Sequence, residues 1–173
     1  IASVYRRTGA TTIAQVGTDI IGQAGGIQSG YSVDISDTGN RVAIGARYRN
    51  GTAGILSGSV RVFQWGSTDW IQMGNDIEGE FAGDEFGSFV SMACDGRRLA
   101  IGAPKNDDIA TDGGHIRIYD WDGSDWVQTG VDLPGLTANE GLGSPICISN
   151  DGNRLIAGAP QYNGGSGIVK TYN

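Results

Sequence analysis

Short runs of alternating apolar and polar residues, separated by turns rich in glycine, recur along the whole chain. The run Tyr31–Ile35 places an apolar side chain at every second position, which is the period of a β-strand and not of a helix. The next run, Arg41–Ala46, is almost entirely apolar or small and predicts a strand that is covered on both faces. No segment of about 10 residues or more shows helical spacing with caps, so we predict an all-β fold.

The chain is built from internal repeats. Three segments that begin at Gly30, Gly87 and Gly143 align without a gap, and the repeat length is therefore 57 and then 56 residues. Each repeat predicts four short strands, in which an Asp-Gly or Thr-Gly turn joins the first two and a polar hairpin loop joins the last two. Tandem four-stranded antiparallel units are typical of β-propeller blades.

The repeats divide the chain into residues 1–29 as an outer half-blade, 30–86 and 87–142 as complete blades, and 143–173 as an incomplete blade. Thirteen strands are expected from this division. Propellers close with about 4–8 blades of four strands, so the sequence predicts part of a larger ring, completed by further blades of a longer chain or by other subunits.

The segment from Phe86-Gly87 through Gly102-Ala103-Pro104 resembles an FG-GAP repeat, the blade motif of the integrin α-subunit propeller. Gly30–Ala46 and Gly143–Pro160 match this motif more loosely. The resemblance implies an extracellular or cell-surface propeller that serves adhesion, recognition or assembly, usually without catalysis. Many members carry an Asp-rich calcium loop between the first two strands, but the corresponding turns here, such as Cys94-Asp95-Gly96, are too short and have too few carboxylates to bind a metal. We therefore expect no cofactor.

The charge balance bears on the partners. With 19 acidic and 12 basic residues the formal net charge is -7, which argues against a nucleic-acid surface. No apolar stretch approaches the roughly 18 residues of a membrane span, so no membrane insertion is expected. Two cysteines, Cys94 and Cys147, leave the redox compartment and the disulfide state open.

The loops between the second and third strands differ in composition from repeat to repeat, and loops of this kind often carry binding. The candidate binding residues on them are Arg47, Tyr48, Arg49, Asn106, Asp107, Asp108, Asp112, Gln161 and Tyr162. The acidic members could form a weak calcium site, a recognition loop or only a solvated polar loop. Asn50-Gly51-Thr52 matches the N-glycosylation pattern, which makes Asn50 a candidate acceptor.

Two tryptophan pairs, Trp65 with Trp70 and Trp121 with Trp126, flank the same hairpin turn in successive repeats. Equal spacing favours a cross-strand pair that fixes hairpin register, and a sugar-stacking platform is the alternative. The only histidine, His115, has no nearby nucleophile or second histidine, so we expect no catalytic residues and no enzyme.

Three functions follow from these features. The leading one is a non-catalytic interaction or adhesion module with a protein partner. The second is a carbohydrate-binding propeller lectin, and the third is a propeller hydrolase using the carboxylates between blades, which are Glu80, Asp84, Glu85 and Glu140.

Overall fold

The structure is a computed structural model that describes all 173 residues. Strands make up 41% of the chain and helix 2%, so the predicted all-β class is confirmed. Every strand pair is antiparallel, and the strands form four separate sheets, none of which closes on itself. No helix is long and apolar enough to cross a membrane.

Each sheet lies within one of the divisions drawn from the repeats. The first sheet pairs β1 (Tyr5–Arg7) with β2 (Ile13–Gln15). The second has the order β3-β4-β5-β6, with a short β7 also paired to β5; its strands are Ser32–Ile35, Arg41–Ala46, Ser59–Trp65, Trp70–Gln72 and Ile77–Glu78.

The third sheet repeats this order as β8-β9-β10-β11, with β12 also paired to β10; its strands are Phe89–Met92, Arg98–Ala103, His115–Trp121, Trp126–Gln128 and Leu133–Pro134. The fourth sheet contains β13 (Ile146–Ile148), β14 (Leu155–Ala159) and β15 (Ile168–Tyr172). A four-residue helical turn, α1 (Tyr162–Gly165), precedes β15, and Asn163 and Gly164 within it have positive φ.

The expected count of thirteen strands is wrong, because the structure has fifteen. The two extra strands, β7 and β12, follow the predicted fourth strand of each complete repeat after a short break. In the second sheet the break falls after β6 at Gly74, whose φ is +67°, a conformation that extended backbone does not adopt. The chain turns there and then pairs again with β5 as β7, and the same break separates β11 from β12.

The second sheet packs on the third and the third on the fourth, and an apolar cluster is buried at each of these contacts. A third cluster lies beside the first sheet, whose own strands are exposed. Ile44 and Phe63 belong to the cluster beside the first sheet, Val62 and Ile101 to the cluster between the second and third sheets, and Ile116 to the cluster beside the fourth. All residues of β9 after Arg98 are buried, as predicted for a strand covered on both faces. The equivalent β14 alternates, with Ile156 47% exposed, because no further sheet covers its outer face.

The glycine near the end of β4 and of β9 lets neighbouring repeats approach closely. A Cβ atom built on Gly45 would lie 2.1 Å from the carbonyl oxygen of Gly87, and one on Gly102 would lie 2.3 Å from that of Gly143. Neither position accommodates a methyl group without moving backbone. Glycine here is therefore required by packing between repeats.

Candidate functional site

A polar groove of about 360 Å³ lies where loops from three successive repeats meet, and it is called the rim groove below. Three equivalent positions after the second strand line it, namely Arg47, Pro104 and Pro160, together with three equivalent positions before the first strand, namely Tyr31, Ser88 and Ser144. Only two of its thirteen lining residues are hydrophobic. The shape of the groove thus comes from equivalent positions of the repeats, while the side chains at these positions are not the same in every repeat.

Arg47 is the most firmly held charged residue in the rim groove. Its guanidinium carbon lies 3.6 Å from the ring centroid of Tyr31 and 4.4 Å from that of Tyr48. Its Nε donates to Oε1 of Gln28 at 2.8 Å, and its terminal nitrogen lies 3.4 Å from Glu85. Stacking of this kind contributes about 0.5–1 kcal/mol at exposed sites, so Arg47 presents a planar, oriented donor to the groove.

A second ion pair lines the opposite part of the rim groove. Lys105 Nζ lies 3.0 Å from Oδ2 of Asp112, and both side chains are partly exposed. Asp112 has a φ of +50°, and its N–H donates to Oδ1 of Asp107 at 2.6 Å, which fixes the turn that carries the pair. Gln161 also lines the groove and is exposed. The groove therefore presents both signs of charge and several hydrogen-bonding groups.

The structure separates the predicted binding residues into two groups. Arg47, Asp112 and Gln161 line the rim groove. Asn106 is buried, and its amide donates to Oδ2 of Asp84 at 3.0 Å while its Oδ1 accepts the N–H of Asp108, so it holds the loop rather than facing solvent. Tyr162 packs against the apolar cluster beside the fourth sheet.

Arg49 does not line the rim groove and instead binds residues of neighbouring segments. It forms ion pairs with Asp76 and Glu78, and its Nε donates to Gln23 at 3.1 Å. Hydrogen bonds from Thr52 and Arg49 lower the pKa of Glu78 to about 2. Asn50 is exposed, and its Oδ1 accepts the N–H of Leu56 at 3.0 Å, so the predicted glycosylation motif lies on an ordered surface loop.

Sequence reasoning missed Tyr31, Glu85 and Lys105 as parts of the groove. Tyr31 and Glu85 belong to the segments before the first strand, whereas the predicted binding residues all lie on the loops after the second strand. The signal that could have found them is the repeat itself, because Gln28, Glu85 and Gly141 are equivalent and all have positive φ, which marks a tight turn beside the groove.

The carboxylates between repeats are each engaged with a neighbour. Glu80 pairs with Arg117, and Glu85 pairs with Arg47. Burial raises the pKa of Asp84 despite its hydrogen bonds from Asn106 and the Phe81 N–H. Burial alone would also raise the pKa of Glu140, but hydrogen bonds from Lys170 and from the backbone N–H groups of Leu136 and Thr137 lower it.

No three or more histidine, cysteine, aspartate or glutamate side chains come together in a way that could hold a metal ion. Cys94 and Cys147 are both free thiols. His115 is 1% exposed, and neither ring nitrogen has a hydrogen-bond partner, so burial lowers its pKa to about 4. None of these groups lines the rim groove.

The two tryptophan pairs are cross-strand pairs, as predicted. Trp65 lies opposite Trp70 with ring centroids 5.4 Å apart, and Trp121 lies opposite Trp126 at 5.5 Å.

The second tryptophan of each pair also binds the preceding repeat, which the sequence did not reveal. Trp70 Nε1 donates to the carbonyl oxygen of Val16 at 2.8 Å, and Trp126 Nε1 donates to that of Met73 at 3.2 Å.

The aspartate before this tryptophan completes a two-point contact between repeats. Oδ1 of Asp69 accepts the N–H of Thr18 at 2.9 Å, and Oδ1 of Asp125 accepts the N–H of Asn75 at 2.9 Å. Hydrogen bonds from the N–H groups of Asn75 and Trp126 lower the pKa of Asp125. The pair of hydrogen bonds made by each Asp-Trp dipeptide is called the Asp-Trp contact below.

No known family model matches the chain, and a search of the curated proteins finds no significant relative. The functional argument therefore depends on the geometry of the chain itself.

Proposed function

We propose that the four sheets are successive blades of a partial β-propeller and that the chain is a non-catalytic protein-interaction module, which binds its partner through the rim groove. The FG-GAP resemblance supports an extracellular or cell-surface setting for this module. Sheet order within the repeats supports the propeller arrangement, since β3-β4-β5-β6 and β8-β9-β10-β11 follow the sequential antiparallel order of a blade.

One observation carries the functional proposal. The rim groove is formed by equivalent positions of three repeats, yet the repeats differ there: Arg47 stands where the other two have Pro104 and Pro160, and Lys105 of the second repeat stands where the third has Gln161. A surface needed only for packing would keep the same residue in each repeat, as the Gly-Ala pairs do. Variation at a shared surface position is typical of recognition by loops on a rigid scaffold.

The chemistry of the rim groove favours a polar protein surface as the partner. Its basic groups, Arg47 and Lys105, are each paired with a carboxylate inside the groove, so it has no strong net charge to select a nucleic acid. A partner loop that offers both a carboxylate and a basic or amide group could replace or extend these pairs. Charge complementarity of this type contributes to specificity more than to affinity.

The geometry of the tryptophan pairs does not favour the lectin alternative. Trp70 and Trp126 use their indole N–H groups to bind the preceding repeat, and Trp126 is buried. A stacking platform for sugar requires an exposed indole face. The hydrolase alternative lacks an unpaired acid and base in one place, because Glu80, Glu85 and Glu140 form ion pairs with basic residues.

Binding to an array of secreted and cell-surface protein ectodomains, with a glycan array in parallel, tests the proposal. The groove variant combines Lys105→Ala with Gln161→Ala, two exposed residues whose loss should leave the fold intact. The control is Arg154→Ala, which removes an exposed basic side chain outside the groove.

We expect the wild-type chain to bind an ectodomain, the groove variant to lose at least about tenfold in affinity, which is about 1.4 kcal/mol, and the control variant to bind as the wild type does. Binding that the groove variant retains, or binding to glycans alone, would contradict the proposal. Turnover of glycosides or esters by the wild-type chain would contradict its non-catalytic part.

A further inference from the structure

The turn that receives the Asp-Trp contact occurs three times in the chain. It is Val16-Gly17-Thr18-Asp19 in the first copy, Met73-Gly74-Asn75-Asp76 in the second and Thr129-Gly130-Val131-Asp132 in the third. The first two copies are occupied, by Asp69-Trp70 and by Asp125-Trp126 respectively.

The third copy has the same backbone as the occupied ones. The φ of its glycine, Gly130, is +77°, against +74° for Gly17 and +67° for Gly74. Its first residue, Thr129, donates its N–H to Ile118 across the strand pair, as Met73 does to Val62. The turn is therefore preformed and needs no rearrangement to receive a contact.

Nothing occupies the third copy. A Cβ on Gly74 would meet Oδ1 of Asp125 at 2.4 Å, whereas a Cβ on Gly130 would meet nothing within 4 Å. Val131 is 80% exposed, and neither its N–H nor the carbonyl of Thr129 makes a hydrogen bond. The two groups that the first two turns use for the contact are therefore both free.

A groove of about 340 Å³ leads from this turn to the end of β15. It is lined by Gly130, Val131, Leu133 and Leu155 and by Tyr172 and Asn173. In the two complete repeats the third strand continues into the hairpin that carries the Asp-Trp dipeptide. The groove thus lies where the corresponding hairpin of a following repeat would lie.

We propose that the turn Thr129–Asp132 is a docking site for a β-hairpin that carries an Asp-Trp dipeptide in the register of this repeat. Its indole N–H would donate to the carbonyl of Thr129, and its carboxylate would accept the N–H of Val131. The occupant is not a second copy of residues 1–173, because both Asp-Trp dipeptides of the chain are already engaged and the first hairpin has Thr12-Ile13 at the equivalent place. This proposal concerns a surface apart from the rim groove and stands independently of it.

The test appends a copy of the sequence Trp121–Gln128 after Asn173 in the full chain, so that β15 can continue into the hairpin. Hydrogen exchange at the Val131 amide is the readout, because the contact needs that N–H. We expect the extension to slow this exchange by at least about tenfold, and Val131→Asn, which imitates Asn75, to slow it further in the extended chain.

The matched control carries the same extension with its Asp-Trp dipeptide replaced by Ala-Ala, and the Val131 amide should exchange in it as fast as in the parent chain. Equal exchange in the extended and parent chains, or equal slowing by the control extension, would overturn the proposal. Slowing in the parent chain that rises with protein concentration would overturn the assignment of the occupant, since it would identify a second copy at the turn.

Discussion

Replacing Gly102 by alanine should separate two sheets that are now in direct backbone contact. The new Cβ would lie 2.3 Å from the carbonyl oxygen of Gly143, about 0.7 Å inside the 3.0 Å limit that Cβ atoms observe. The obstructing atom belongs to backbone whose N–H is bonded to Gly158, so it cannot rotate away as a side chain would. The third and fourth sheets must therefore move apart.

The loss in the free energy of unfolding follows from how far the two sheets move apart. A gap of about 0.5–1 Å removes a quarter to a half of the dispersion energy between the surfaces, and overpacking of cores costs about 1–3 kcal/mol. We expect the free energy of unfolding to fall by about 3 kcal/mol. In a chain of this size that corresponds to a fall of about 6–12 °C in Tm.

The equivalent position in the fourth sheet provides a matched control. A Cβ on Gly158 would meet Cδ of Pro145 at 2.9 Å and the carbonyl oxygen of Ser144 at 3.0 Å, both in its own repeat, and no further sheet lies beyond β14. Gly158→Ala should therefore cost less than Gly102→Ala, because its overlap is smaller and no second sheet has to move. Thermal and urea unfolding followed by circular dichroism measures both variants. A cost below about 1 kcal/mol for Gly102→Ala, or equal costs for the two, would refute the packing argument.

Three further predictions concern single residues. Trp126→Phe leaves the carbonyl of buried Met73 without its donor and should lower the free energy of unfolding by about 1–3 kcal/mol in urea titration. His115 has a pKa of about 4 in the folded chain, against its ordinary value of 6.5, so the free energy of unfolding should fall by at most about 3 kcal/mol as the pH drops from 6.5 toward 4. If the free energy of unfolding of His115→Ser falls just as steeply between pH 6.5 and 5, this reasoning is contradicted. Secretion from a eukaryotic host should add one N-glycan at Asn50, seen by mass spectrometry, and Thr52→Ala should abolish it.

The repeat pattern accounts for much of the fold. Alternation in Tyr31–Ile35 and the apolar run Arg41–Ala46 led to β3 and β4 with the expected pairing, because side-chain period and turn chemistry are local properties. The burial of β4 is as expected, but Val33 and Ile35 of β3 are exposed, because the packing of neighbouring sheets decides which face of a strand is covered. The short strands β7 and β12 were missed. They depend on the turns at Gly74 and Gly130, both of positive φ, and the sequence shows the glycines but not the conformation they adopt.

The candidate site was only partly predictable. Arg47, Asp112 and Gln161 line the rim groove, whereas Asn106 is buried and donates to Asp84, a residue 22 positions away. A polar loop residue can face solvent, bind a partner or donate to a buried acceptor, and the residue type does not tell these three roles apart. The choice depends on which acceptor the neighbouring segment places within reach.

By itself the sequence determined thirteen of the fifteen strands, the turns that join them and the 56- to 57-residue repeat, since these follow from patterns of nearby residues. Tertiary structure alone decided that three rim loops meet in one groove and that each Asp-Trp dipeptide binds the preceding repeat. The rim groove and the Asp-Trp contact both join residues more than fifty positions apart, such as Trp126 and Met73. The distance between such residues is set by how the sheets twist and pack on one another, and no local pattern specifies that geometry.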